Sequence, residues 1–176
     1  MLCLAYNPDV LGNIALPPCH MLFQFYARPL NKEERLNWLQ EQYENKFDEY
    51  KTITDDRLNT YNVPKYELSL KWIQRSVDSF LGLPFNIASY GLLLSMIAQC
   101  VNMTVGTLSC SLGDCHIYCA HLDAIKELFS RDPLKYNLPK LKLNPSIKNI
   151  DDFTYDDIEI INYESYPSIK APLCVG

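Results

Sequence analysis

The chain has 176 residues, 48% of them hydrophobic and 12% aromatic, which excludes a disordered chain and suffices for one domain with a buried core. Its formal net charge of −5 argues against sequence-independent binding to nucleic acid, although a few well-placed arginines can still build a phosphate pocket. Seven cysteines, an odd number, and no basic, small-residue leader pattern at the start lead us to expect reduced thiols in a cytoplasmic protein.

Residues 1–5 are apolar and strand-like, and Tyr6-Asn7-Pro8-Asp9 turns the chain. Leu16-Pro17-Pro18-Cys19-His20 then sets two rigid prolines before a cysteine. Cys19 reads in two ways from the residues alone. It is a small buried side chain, or it is a nucleophile presented on a fixed turn and activated by a neighbouring positive charge.

Residues 21–27 read as a strand, paired with a second at 66–74. Between them, residues 31–51 carry apolar side chains at 36, 39, 43, 47 and 50, the spacing of an amphipathic helix. Asn31 followed by Glu34 predicts a capping box at its start. Eight acidic and five basic residues between 31 and 57 suggest a solvated excursion packed on the body. The sharper reading is a partner-binding arm using Trp38, Leu39, Tyr43 and Phe47.

Gln74 to Tyr90 gathers polar groups at the mouth of an apolar helix. The plainest expectation is a helix N-terminus capped by Asn86. The apolar run from Ile87 to Val101 is interrupted by Ser95 and Gln99 and falls short of the roughly 20 residues of a membrane span. A buried helix is expected there, and no membrane partner. Residues 103–106 break the run, and 107–112 read as a strand. In the extended stretch that follows, His116 and Tyr118 share one face, while Cys115, Ile117 and Cys119 share the other. Cys115, Cys119 and His121, with Cys110, also have zinc-like spacing, but no second ligand pair exists elsewhere, so no metal is expected. A short helix at 121–130, a strand at 140–143, a turn or short strand at 147–150 and a last strand at 158–162 complete the elements.

The stretch Gln74-Arg75-Ser76-x-Asp78-x-x-Leu81-Gly82-x-Pro84-Phe85-Asn86-Ile87 resembles the signature of the thymidylate synthase family, which includes the pyrimidine hydroxymethylases. Pro18-Cys19-His20, the run from Gly113 and Asp114 through His116 and Tyr118 to His121, and Ile169-Lys170-Ala171-Pro172 resemble it too, in the same order. The resemblance implies an α+β fold, a large mixed sheet with helices on one face, whose other face packs on a second subunit. It implies one catalytic domain over 1–176, corresponding to the C-terminal portion of a family member, with an insertion at about 29–64.

The implied reaction moves a one-carbon unit from 5,10-methylenetetrahydrofolate to C5 of dUMP through a covalent Cys19 adduct, giving dTMP and dihydrofolate. Cys19, Arg75, Asp78 and Asn86 are the implied catalytic residues. The nucleotide would lie on Arg75, Ser76, Val77, Asp78, Asn86, His116, Ile117 and Tyr118. The folate would lie on Asp78, Gly82 and Cys174, under a C-terminal lid. An amide at Asn86 suits uracil, whereas the cytosine-selective relatives typically carry an aspartate there. Family features that precede the first strand, including a catalytic glutamate and phosphate-binding arginines, are not in this sequence. The expected partner besides dUMP and reduced folate is therefore a second copy or a complementing N-terminal chain.

Two alternatives accompany this reading. One is a hydroxymethylase giving 5-hydroxymethyl-dUMP, suggested by a lid in which Tyr166 replaces the usual histidine and Gly176 lies one residue past the usual end. Ala120 in place of the usual asparagine is a further departure. The other is a non-catalytic nucleotide-binding remnant, or one piece of a split enzyme.

Overall fold

The computed structural model describes residues 1–14, 17–43 and 53–174. Four strands form one mixed sheet in the order β1 (Leu2–Leu4), β2 (His20–Pro29), β3 (Tyr66–Asp78) and β4 (Thr104–His116). The first two pairings are antiparallel and β3–β4 is parallel. A parallel pair requires a crossover, and helix α3 (Gly82–Cys100) provides it.

Sequence periodicity explains the packing of that crossover. Along β3, Leu68, Leu70, Trp72 and Gln74 are buried at alternate positions, the period of one sheet face. Along α3 the buried residues are Tyr90, Leu94 and Ala98, four apart and so on one helix face. The two faces close with Phe25 into one core. By length and composition alone α3 could also cross a membrane; its Tyr90–Leu94–Ala98 stripe packs on the sheet.

Several elements differ from their sequence-based bounds. β3 continues past Gln74 to Asp78, and β4 starts at Thr104 and runs to His116. The residues added at the far ends pair with each other, Ser76 with Asp114, Val77 with Cys115 and Asp78 with His116, while Thr104 and Val105 pair with Glu67 and Leu68, and such long-range pairing has no local signal. Gly113 makes it sterically possible: a Cβ there would lie 2.4 Å from the Arg75 carbonyl oxygen. The helix begins at Gly82, so Gly-Leu-Pro-Phe-Asn is its first turn, where proline is tolerated. The expected Asn86 cap is absent. Leu81 stands at the N-cap without a side-chain bond, and the Asp78 carboxylate accepts from the N–H groups of Phe80 and Leu81 just before it.

The β2–β3 connection has a small core of its own. Helix α1 (Lys32–Gln42) opens with the expected Asn31–Glu34 capping box, and α2 (Asp55–Thr60) follows. Leu39, Ile53, Leu58 and Val63 are buried together, with Leu36, Trp38 and Tyr61 packed around them. Of the alternative partner-binding face, Leu39 is buried in this cluster and Trp38 packs partly against it. Residues 44–52, including Phe47 and the rest of the expected helix, lie outside the described residues.

Helix α4 (Leu122–Phe129) and an antiparallel pair, β5 (Lys140–Leu143) with β6 (Ile158–Ile161), complete the fold. Between them Ile147 donates back to the Asn144 carbonyl, which places the turn at 144–147, just before the expected 147–150, and a short 3-10 helix starts at Ile150. Tyr166 takes cations from Arg131 and Lys135 on its ring, at 5.2 and 4.6 Å. The result is an α+β fold, a mixed sheet with helices packed on it.

Candidate functional site

The parallel ends of β3 and β4, the first turn of α3 and the cysteine turn before β2 enclose a cavity of about 1050 Å³. Cys19 lies on the turn that Pro17 and Pro18 stiffen. Arg75 holds that turn: its backbone N–H donates to the Cys19 carbonyl at 2.9 Å, its Nε donates to the Pro18 carbonyl at 3.0 Å, and an Nη donates to the Pro17 carbonyl. Three successive carbonyls thus accept from one residue. A guanidinium has five N–H donors in a planar fork, so this grip leaves donors for an anion in the cavity.

His20, next along, meets the Tyr90 hydroxyl through Nδ1 at 3.0 Å. Burial lowers the His20 pKa and raises that of Tyr90, so His20 favours the neutral ring. Tyr90 in turn stacks on Trp72, with ring centroids 4.9 Å apart and planes 15° off parallel. The cysteine turn is therefore tied to the sheet core on both sides, through Arg75 and through His20.

The opposite wall carries Asp78, Gly82 and Asn86. A Cβ added to Gly82 would sit 3.5 Å from the Asp78 Cβ and 3.9 Å from Asn86 Oδ1, between two groups that line the cavity. His116 and Tyr118 come from the end of β4, with ring centroids 4.9 Å apart and nearly perpendicular. The strand ends at His116, yet the two rings stay on the cavity side as alternation predicted. The Asp114 carboxylate lies 3.5 Å from His116 Nδ1.

The C-terminal segment closes one side. Leu173 and Cys174 line the cavity, and the wholly buried His121 meets the Pro172 carbonyl through Nε2 at 2.8 Å. Its Nδ1 has no hydrogen-bond partner and lies 3.8 Å from the Asp78 carboxylate. Cys174 Sγ is 3.7 Å from the same Nε2. His121 thereby joins the tail to the Asp78 wall. Gly176 lies outside the described residues.

Of the residues singled out in the sequence, Cys19, Arg75, Ser76, Asp78, Gly82, Asn86, His116, Tyr118 and Cys174 line this cavity. Val77 and Ile117 do not. The Val77 side chain is buried, 1% exposed, and Ile117 is half exposed, because each points away from the face shared by its neighbours. The zinc-like set does not assemble: Cys115 Sγ contacts Ser79 Oγ at 3.2 Å, His121 faces the tail, and no group of three metal-ligating side chains gathers among the described residues. All seven cysteines are free thiols.

Sequence reading left Gln74, His20 and Asp114 without a role, although all three line the cavity. For Gln74 a signal was present: strand alternation sets it on the face of Trp72. Exposed Phe85 and Leu173 add apolar surface at the mouth, suited to a flat ring. The wall combines a thiol, an arginine fork, a carboxylate, a carboxamide and a His–Tyr pair. That set can hold an anion, read a polar base edge and attack an electrophilic carbon.

A family model described as thymidylate synthase matches residues 1–175. Over 171 residues the chain is 45% identical to a thymidylate synthase of Mycoplasma mobile, covering 97% of this chain and 46% of that protein. The chain thus spans about half the length of that curated relative.

Proposed function

Because the chain belongs to the thymidylate synthase family, we propose that its cavity transfers a one-carbon unit to C5 of dUMP, giving dTMP and dihydrofolate. The observation that carries this reading is the Cys19 turn, gripped at three successive carbonyls by Arg75 and opening on the same cavity as Asn86 and the His116–Tyr118 pair.

Each residue then has a physical task. The Cys19 thiolate adds to C6 of the pyrimidine and makes C5 a carbon nucleophile. Arg75 positions that sulfur through the turn, and its remaining donors, with Ser76, suit the phosphate. Asn86 accepts from N3–H and donates to O4. His116 and Tyr118 take the sugar hydroxyl. Bound 5,10-methylenetetrahydrofolate supplies the one-carbon unit and the reducing hydride. Asp78, Gly82, Phe85 and Cys174 fit its ring system: one carboxylate for polar contacts, a position without a side chain, and apolar surface at the mouth. The His121–Pro172 bond supports a tail that folds over it.

The exposed Leu2 and Leu4 on edge strand β1 support a partner surface for a second copy or a complementing chain. The free thiols support a cytoplasmic setting. Hydroxymethylation is the runner-up, and a remnant that binds nucleotide without turnover is the other alternative. The test incubates the protein with dUMP and methylenetetrahydrofolate and follows both nucleotide product and dihydrofolate absorbance. The expected result is dTMP with an equal amount of dihydrofolate. Modified dUMP without dihydrofolate would replace the synthase reading with hydroxymethylation, and no product would overturn both.

A further inference from the structure

A second cavity, of about 520 Å³, lies where the β2–β3 connection meets the body, and it shares no lining residue with the cavity of Cys19. Its size falls within the roughly 300–1,000 Å³ of small-molecule sites. Trp38 and Glu41 of α1 face Ser95 and Gln99 of α3 across it, with Thr104 at the start of β4. Gln99 Nε2 donates to the carbonyls of Asn144 and Ile147, at 2.8 and 3.2 Å. A carbonyl only accepts, so this amide cannot be turned over, and the end that Gln99 leaves for a ligand is its oxygen. Ser95 Oγ donates its hydrogen to the Gly91 carbonyl at 2.8 Å and keeps lone pairs. Thr104 Oγ1 is buried with no hydrogen-bond partner.

Charge points the same way. Among the described residues that line this cavity Glu41 is the charged one, and it is exposed. The apolar floor includes Leu141 and Leu143; Lys142, between them on β5, pairs with Glu159 at 2.9 Å. The exposed Gln42 amide suits either polarity. The lining therefore offers a carboxylate, an amide oxygen and a hydroxyl oxygen beside an indole ring, with no cation to balance them. An anion would meet the Glu41 charge and these lone pairs. A cation gains charge-assisted hydrogen bonds and the attraction of the ring. We propose that this cavity is a second binding site, for a small organic cation. Its ammonium or amidinium head donates to Glu41 and Gln99, and its short apolar body lies against Trp38, Leu141 and Leu143. The site does not rest on the dUMP reading above.

Three probes of one flat shape separate charge from size: benzamidinium, neutral benzamide and benzoate. Glu41→Gln keeps the size of the side chain and removes its charge, at an exposed position on which folding does not depend. Trp38→Leu removes the ring and keeps an apolar side chain.

The experiment measures binding of the three probes by calorimetry to the full wild-type chain and to both variants. Wild-type protein is expected to bind benzamidinium about tenfold or more tightly than benzamide, and benzoate most weakly of the three. Glu41→Gln lowers benzamidinium affinity about three- to tenfold and leaves benzamide unchanged. Trp38→Leu weakens benzamidinium and benzamide alike, because the ring serves the body of the ligand as well as its charge. Benzamide binding as tightly as benzamidinium overturns the choice of a cation. Benzamidinium affinity that Glu41→Gln leaves unchanged overturns the site, as does a wild type that binds no benzamidinium. If Trp38→Leu fails to fold, Glu41→Gln alone decides. A chain that binds this cation without binding dUMP would overturn the dUMP reading and leave the second site standing.

Discussion

Arg35 in the β2–β3 connection and Gln74 in the cavity wall are both polar side chains at almost full burial, 6% and 4% exposed. Each satisfies its donors, as burial demands. Arg35 donates to the carbonyls of Pro64 and Val63, to Asn59 and to Asp55, all within the connection. Its network closes on itself and staples α1 to α2 beside the Leu39–Leu58 cluster. Gln74 accepts from the Trp72 indole N–H and donates to the Ser76 carbonyl and to Asn86, and Asn86 faces the cavity. The same physical requirement yields a structural clamp where the network is closed and a cavity wall where it has one open end.

Truncating Arg35 breaks the first network, with the larger expected effect on stability. Arg35→Ala leaves several acceptors without their donor, and the loss should be about 3 kcal/mol. For a chain of this size that lowers Tm by roughly 6–12 °C, read by a thermal melt. The dUMP affinity of the folded protein should be unchanged, since this network does not reach the cavity of Cys19. A change in that affinity would join the two networks and erase the contrast.

A smaller effect separates the regions by pH. His20 has its pKa lowered by burial beside Tyr90. The unfolded chain therefore takes up that proton at about pH 6.5, while the folded protein resists until a lower pH. Stability is full above that value and falls as pH drops through the window down to the folded pKa. In the connection, Glu34 has its pKa lowered, first by the hydrogen bond from Arg28 and then by the Asn31 backbone. Its contribution is present above the ordinary value of 4.5 and is lost only as pH falls below it. Thermal melts across this range should show two separate declines, and His20→Asn should remove the upper one alone.

The parts of the site that lie on one short stretch were legible in the sequence. The Gln74–Ile87 signature and the Cys19 turn led directly to the lining of one cavity, and alternation placed His116 with Tyr118. The plain reading of Asn86 as a cap gave way because Asp78 accepts from the N–H groups before the helix, through a turn that composition does not mark. The last residues of β3 and the first of β4 were missed because parallel pairing depends on residues more than thirty positions apart. Val77 and Ile117 were assigned to the site by motif membership, although strand geometry points both away from it. The Trp72–Gln74 contact follows from alternation, and the Gln74–Asn86 bond depends on how α3 docks.

The central claim is that Cys19 adds to the pyrimidine so that C5 can form a carbon–carbon bond and release its hydrogen. Tritium release to water from dUMP labelled at C5, with methylenetetrahydrofolate present, reads that step whether the product carries a methyl or a hydroxymethyl group. Wild-type protein should release tritium, and Cys19→Ser should lower the rate by on the order of 10⁴-fold or more while binding dUMP with similar affinity. Near-normal tritium release from Cys19→Ser would contradict the account.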